Sequence, residues 1–202
     1  RLLGHYTEIA RASVLPVGLY DRGAGSPYVV PEPMLADLLA EPNIVVVKDS
    51  SQQVSRRDAY LKGRAARPSL RLFSGGEFDT VEYLAAGYDG LLLGGGIFNA
   101  RMALQILAAV RANDLVKANA LQARMNDLMY RVYGGPQITC WMTGLKELLV
   151  ELGVFATNRN LLDYPLTDQC RAQIKAAVSG SDDLGFREDM LVPHRSFVPL
   201  AR

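Results

Sequence analysis

The sequence predicts an α/β fold with a parallel sheet, built from four β/α units and followed by a helical segment. Three observations lead there. Four short apolar runs lie at 14–20, 44–48, 70–74 and 90–94, and helical patterns separate them, the alternation that defines a parallel α/β fold. None of the runs alternates strictly between apolar and polar residues, so both faces of the sheet are expected to be covered. After the fourth run the strands stop, and amphipathic helical stretches follow at 115–132, 141–152 and 167–178.

The elements follow in order. Residues 2–12 read as a helix before the first strand run, Val14-Leu15-Pro16-Val17-Gly18-Leu19-Tyr20. Residues 33–39 place Met34, Leu35, Leu38 and Leu39 at helical spacing ahead of the second run, Ile44-Val45-Val46-Val47-Lys48. Ser51 is placed to cap a helix ending at Gly63, where a C-terminal glycine belongs. The third run, Leu70-Arg71-Leu72-Phe73-Ser74, leads to a helix over 77–86 that Gly87 closes. A further helix opens at Asn99 or Ala100, after the fourth run, Gly90-Leu91-Leu92-Leu93-Gly94. The tail over 180–202, with Pro193 and Pro199, reads as an extended arm packed on the body.

Four units cannot close a (β/α)8 barrel, which takes about 250 residues. The chain is therefore either a small open sheet or one half of a barrel. It opens Arg1-Leu2-Leu3, without an initiator Met and as though inside a helix. That favours the second half, strands five to eight, with 1–112 as barrel and 113–202 as a C-terminal helical domain and tail. On this reading Val17, Leu19, Val45, Val47, Leu72, Leu91 and Leu93 are inner-face residues left partly exposed, and residues outside this segment complete the barrel.

Composition narrows the function. Of 202 residues 49% are hydrophobic and 21% charged, and the net charge is +1. That balance gives no electrostatic reason to expect nucleic acid or an anionic membrane surface. No apolar run approaches the roughly 20 residues of a membrane span. Cys140 and Cys170 form neither a disulfide framework nor a metal-ligand pattern; both read as small buried apolar residues in a protein of the reducing cytoplasm. His5 and His194 are nearly the whole chain apart, so neither a metal site nor a Ser-His-Asp triad is expected. The Met125, Leu128 and Met129 stripe reads as core.

Lys48 ends an apolar strand, and in a parallel barrel all strand C-termini face the active-site mouth. A lysine becomes a nucleophile when burial disfavours its ammonium form; the bland alternative is a solvated lysine at a strand end. Tyr20 ends the preceding strand, where a phenol can pass protons to and from a substrate; the alternative is a structural tyrosine. Ser74-Gly75-Gly76 and Gly94-Gly95-Gly96 end the last two strands. Their glycines permit close approach of a substrate, and free N–H groups there can hold a carboxylate or phosphate. Neither stretch matches a dinucleotide fingerprint or a phosphate loop.

These stretches together resemble a known family. Ile9-Ala10-Arg11-Ala12, Leu15-Pro16-Val17-Gly18-Leu19-Tyr20, Pro42 through Lys48 to Asp49-Ser50-Ser51, Phe73-Ser74-Gly75-Gly76 and Ala86-Gly87-Tyr88-Asp89-Gly90 follow the order and spacing of the dihydrodipicolinate synthase / N-acetylneuraminate lyase family. Gly144-Leu145-Lys146-Glu147-Leu148 resembles its C-terminal helix, and the likeness covers residues 5–155.

The resemblance implies a (β/α)8 barrel with a small helical domain, assembled as a homotetramer. It implies that Lys48 forms a Schiff base with a 2-oxo acid and that Tyr20 relays protons. Gly75 matches the glycine after the seventh strand, and Leu92 the eighth-strand residue whose backbone faces the substrate. The family's carboxylate-binding threonines, and a tyrosine lent by a neighbouring subunit, belong to the N-terminal half. No metal or organic cofactor is needed.

Departures refine the expectation. Asp21-Arg22-Gly23 stands where the family usually has Asn, any residue and Pro, and Gly25 stands where dihydrodipicolinate synthases carry an arginine. Tyr20-Asp21-Arg22 and Gly94-Gly95-Gly96-Ile97-Phe98-Asn99 look more like the sugar-acid dehydratases of the family. The expected function is dehydration of a 2-oxo-3-deoxy sugar acid. The alternatives are a pyruvate-releasing or dihydrodipicolinate synthase-like aldolase, and a non-catalytic relative that binds a small acid.

Overall fold

The computed structural model describes residues 2–162, 164–180 and 184. Contacts divide the chain into two compact units, residues 1–96 with 103–126, and residues 97–102 with 127–202.

In the first unit the four apolar runs become strands and the intervening amphipathic segments become helices. Helix α1 (Leu2–Ala12) leads to β1 (Val17–Asp21), α2 (Leu35–Leu39) to β2 (Ile44–Asp49), α3 (Val54–Ala66) to β3 (Arg71–Ser74), and α4 (Thr80–Ala85) to β4 (Gly90–Leu91). The strands lie side by side in sequence order, all parallel, as the β/α repeat predicts. Strand β1 begins later than its apolar run because Val14 and Leu15 sit in an exposed turn. The Asn43 amide pins that turn, donating to Ala10 O at 2.7 Å and Ser13 O at 3.0 Å. Strand β4 is short, yet the Leu92 N–H still donates to Ser74 O at 2.8 Å.

Helix bounds differ from the sequence reading where side chains found other partners. Ser51 does not cap α3; its N–H is held by Asp49 Oδ1, and Gln52 turns the chain at φ 55° before Gln53 takes the N-cap position. Gly63 lies inside α3 rather than at its end. A Cβ there would stand 2.6 Å from Leu39 Cδ1, so the glycine serves close packing of α3 on α2. Helix α5 (Gly96–Arg111) opens three residues before Asn99.

The core lies between the sheet and its helices. Leu19, Val47 and Leu72 are buried there with Leu35, Leu38, Leu39, Tyr60 and Leu70. This corrects two expectations. Leu19, Val47 and Leu72 are not exposed inner-face residues, because strand alternation puts them on the helix side. Nor are both faces covered: Tyr20 and Leu92 on the opposite face are 54% and 45% exposed. Val45 is exposed as expected, and Val17, Leu91 and Leu93 are half-buried.

In the second unit α7 (Trp141–Glu151) packs with α8 (Asp168–Gly180), while α6 (Leu115–Tyr133) contributes residues to both units. Helix α8 buries Cys170, Ile174 and Ala177, and Arg171 forms an ion pair with the buried Glu147 of α7. Gly144 lets α7 meet the Val132 carbonyl, 2.0 Å from where a Cβ would stand. Met125, Leu128 and Met129 are core, as their spacing predicted. His194, Pro193, Pro199 and the arm expected over 180–202 lie outside the described residues, apart from Gly180 and Leu184. Among the described residues no helix is long and apolar enough to cross a membrane.

Candidate active site

Tyr20 and Lys48 are register partners across β1 and β2, and Phe73 and Gly90 continue that row across β3 and β4. The next row is Asp21, Asp49, Ser74 and Leu91. Because successive side chains point to opposite faces, Tyr20, Lys48 and Phe73 share the open face. Asp21, Asp49 and Ser74 are buried on the helix side.

The Lys48 amine stands over the Tyr20 ring, 4.3 Å from its centroid, a cation–π geometry. The structure thus brings together the two residues that the sequence singled out. Gly75 joins them. A Cβ on it would stand 3.0 Å from Lys48 Cε and 1.9 Å from Ser50 Oγ, so a larger residue would press on both side chains. Leu92 lies one residue past β4 with its N–H already bonded to Ser74 O.

The glycine turns are less free than the sequence suggested. Gly75 N–H donates to Asp49 O at 2.6 Å, Gly76 N–H to Ser74 Oγ at 3.0 Å, and Gly95 N–H to the Glu77 carboxylate. Those three donors are not available to a substrate carboxylate or phosphate in this arrangement. Among the described residues no group of three or more His, Cys, Asp or Glu could hold a metal ion.

Sequence reading missed what lies behind this pair. Asp21 Oδ2 accepts from Arg56 Nε at 2.6 Å and from the Tyr60 hydroxyl, while Asp21 Oδ1 accepts from Gly23 N–H at 2.8 Å. Arg56 also donates to Val30 O at 2.9 Å. Asp49 Oδ2 accepts from Tyr88 at 2.8 Å and its Oδ1 from Ser51 N–H at 2.9 Å. Burial, then the bond to Asp21, pushes the Tyr60 phenol above its ordinary range. Burial, then the Asp49 charge, does the same to Tyr88. Both phenols therefore stay neutral donors. Two buried carboxylates thereby fix the C-terminal ends of β1 and β2, each directly after the residue that faces the open side. One signal for them existed: Asp21 and Asp49 share strand parity with the apolar residues Leu19 and Val47.

The dihydrodipicolinate synthetase family model matches residues 1–180. The chain belongs to that family. It is 29% identical over 182 residues to the 4-hydroxy-tetrahydrodipicolinate synthase of Acidiphilium cryptum, covering 89% of this chain and 59% of the relative. The chloride-inhibited dihydrodipicolinate synthase of Acinetobacter baumannii, solved with pyruvate, is similar at 26% identity and TM-score 0.70, over 88% of this chain and 59% of that one. N-acetylneuraminate lyase from Mycoplasma synoviae shares the fold at 19% identity and TM-score 0.67, over 88% and 57% of the two chains. The chain therefore spans less than two thirds of the length of these proteins.

Proposed function

We propose that the protein is a lyase in which Lys48 forms a Schiff base with a 2-oxo acid. The observation that carries this reading is the Lys48 amine poised over Tyr20 on the open face, at the C-terminal end of a parallel sheet. Pyruvate bound to a relative that is 26% identical supports a 2-oxo acid as the substrate class.

In the proposed reaction the neutral amine attacks the C2 ketone and water leaves, giving a protonated imine. This electron sink makes a C3 proton acidic, or lets the C3–C4 bond break. The Tyr20 phenol shuttles the proton. Gly75 gives the lysine and its adduct room, and the Leu92 backbone borders the substrate. Expulsion of a C4 hydroxyl from the enamine gives dehydration, our preferred outcome, with a 2-oxo-3-deoxy sugar acid as substrate. Gly25 supports that preference. It lies in an exposed turn with open space around it and presents no guanidinium where synthases carry one. Asp21 is held against Arg56 behind the strand, so of the Tyr20-Asp21-Arg22 triplet only Tyr20 and Arg22 are exposed.

The aldolase reading has its own support in the synthase and lyase relatives. A homotetramer, a cytoplasmic location, and the division into 1–112 and 113–202 belong to the same proposal. They rest on the family resemblance, on two cysteines that form no disulfide framework in the sequence, and on where the β/α repeat stops. Incubation of the complete protein with 2-oxo-3-deoxy sugar acids, with products resolved by mass, tests the preference. Loss of one water from the substrate supports dehydration, and release of pyruvate replaces it with the aldolase. Retained turnover in Lys48→Ala would overturn both.

A further inference from the structure

Cys140 occupies the N-cap position of α7, and Cys170 sits in the first turn of α8. The sequence separates them widely, but the second unit folds them against the same few atoms. Cys140 Sγ lies 3.8 Å from Thr167 Oγ1, and that hydroxyl accepts the Cys170 backbone N–H at 3.1 Å. Cys170 Sγ donates to Val132 O at 3.4 Å. A Cβ on Gly144 would fall 2.0 Å from that carbonyl and 3.5 Å from Cys140 Cβ, so the empty glycine position lies between the two cysteines' surroundings. Gly134 clears the other flank, where a Cβ would stand 2.6 Å from Cys140 Sγ. Both cysteines are free and fully buried.

We propose that Cys140 and Cys170 are a modification site, a dithiol that closes into a reversible disulfide under a small two-electron oxidant such as hydrogen peroxide. The first step forms a sulfenic acid on one sulfur and releases one water. In the second step the other thiol attacks that sulfur, the S–S bond forms, and a second water leaves. Two thiol hydrogens and two electrons thus reduce one peroxide to two waters. Burial, followed by interaction with Cys140, pushes the Cys170 thiol up to about 12. A thiol held that high is a poor first nucleophile, so Cys170 is assigned the resolving step. The bridge ties the start of α7 to α8, adding to the Arg171–Glu147 and Lys175–Glu151 ion pairs and the buried face of α8.

Closing a loop of about 30 residues should raise the thermal midpoint by something on the order of 10 °C. The full chain, reduced and then treated with hydrogen peroxide, is unfolded in N-ethylmaleimide and weighed intact. The proposal expects a loss of two hydrogens, no alkylation of either cysteine, and a peptide linking Cys140 to Cys170. Dithiothreitol should restore both thiols and reverse the rise in midpoint. Cys140→Ser and Cys170→Ser should each abolish the midpoint response to oxidant. Full alkylation of both cysteines after peroxide, or an oxygenated cysteine without the linking peptide, overturns the proposal. The mass measurement needs only the parent chain, so it decides even where a serine variant does not fold.

Discussion

Replacing Asp21 by Ala should unfold this protein far more readily than its place beside an exposed tyrosine suggests. The Arg56 and Asp21 side chains are 5% and 7% exposed, and the pair is closed at 2.6 Å. Removing the carboxylate leaves a guanidinium buried without its charge partner, which costs about 3–5 kcal/mol. It also orphans the Tyr60 hydroxyl. With a urea m-value of about 2.5 kcal/mol/M, the midpoint should fall by about 1–2 M. Adding Arg56→Met removes the stranded charge and keeps the volume, so the double variant should be no less stable than Asp21→Ala alone. Urea titrations of the parent, both single variants and the double variant, followed by circular dichroism, complete the cycle. A midpoint drop below about 0.3 M for Asp21→Ala, or simple additivity in the double variant, would refute a coupled buried pair.

Other consequences follow from the same packing. Gly144→Ala sets a Cβ against the rigid Val132 carbonyl, whereas the shortest contact of Gly63→Ala is with the terminal Cδ1 of Leu39, a side-chain end that can shift. Calorimetry should find the first variant several degrees less stable than the second, and equal losses would contradict the close approach. Asp89 is held below the usual carboxylate range: burial opposes its charge, but the Leu72 N–H, Arg71 and Arg64 outweigh that effect. Its contribution is present above the unfolded carboxylate value near 3.9 and is lost as pH falls through the lower folded value. Asp89→Asn should therefore destabilise at pH 7 and converge with the parent at strongly acid pH; a constant offset across that range would contradict the assignment. Tyr20→Phe should slow turnover by roughly 10²- to 10⁴-fold, the usual loss of a proton relay. Unchanged turnover would make the tyrosine structural.

Much of the fold was legible because four apolar runs and their helical spacers repeat. Strand order, direction and the meeting of Tyr20 with Lys48 all follow from that repeat. Which face each residue takes was less legible. An unbroken run such as Ile44-Val45-Val46-Val47 carries no polar marker of parity, so the sequence does not reveal that Val47 lies on the helix side. Buried carboxylates were hidden for another reason. Asp21 and Asp49 look solvated in sequence, and their partners Arg56, Tyr60 and Tyr88 lie 35 to 39 residues further on. Similarly, the glycines at 75, 76 and 95 read as open donors in the sequence, whereas Asp49, Ser74 and Glu77 accept their N–H groups.

Borohydride trapping tests the central claim most directly. The complete protein is incubated with pyruvate, reduced with sodium borohydride, digested and mapped by peptide mass spectrometry. The account predicts one reduced adduct, on Lys48, absent from Lys48→Ala and formed less efficiently in Tyr20→Phe. An adduct on another lysine, or none on the active parent protein, would contradict it.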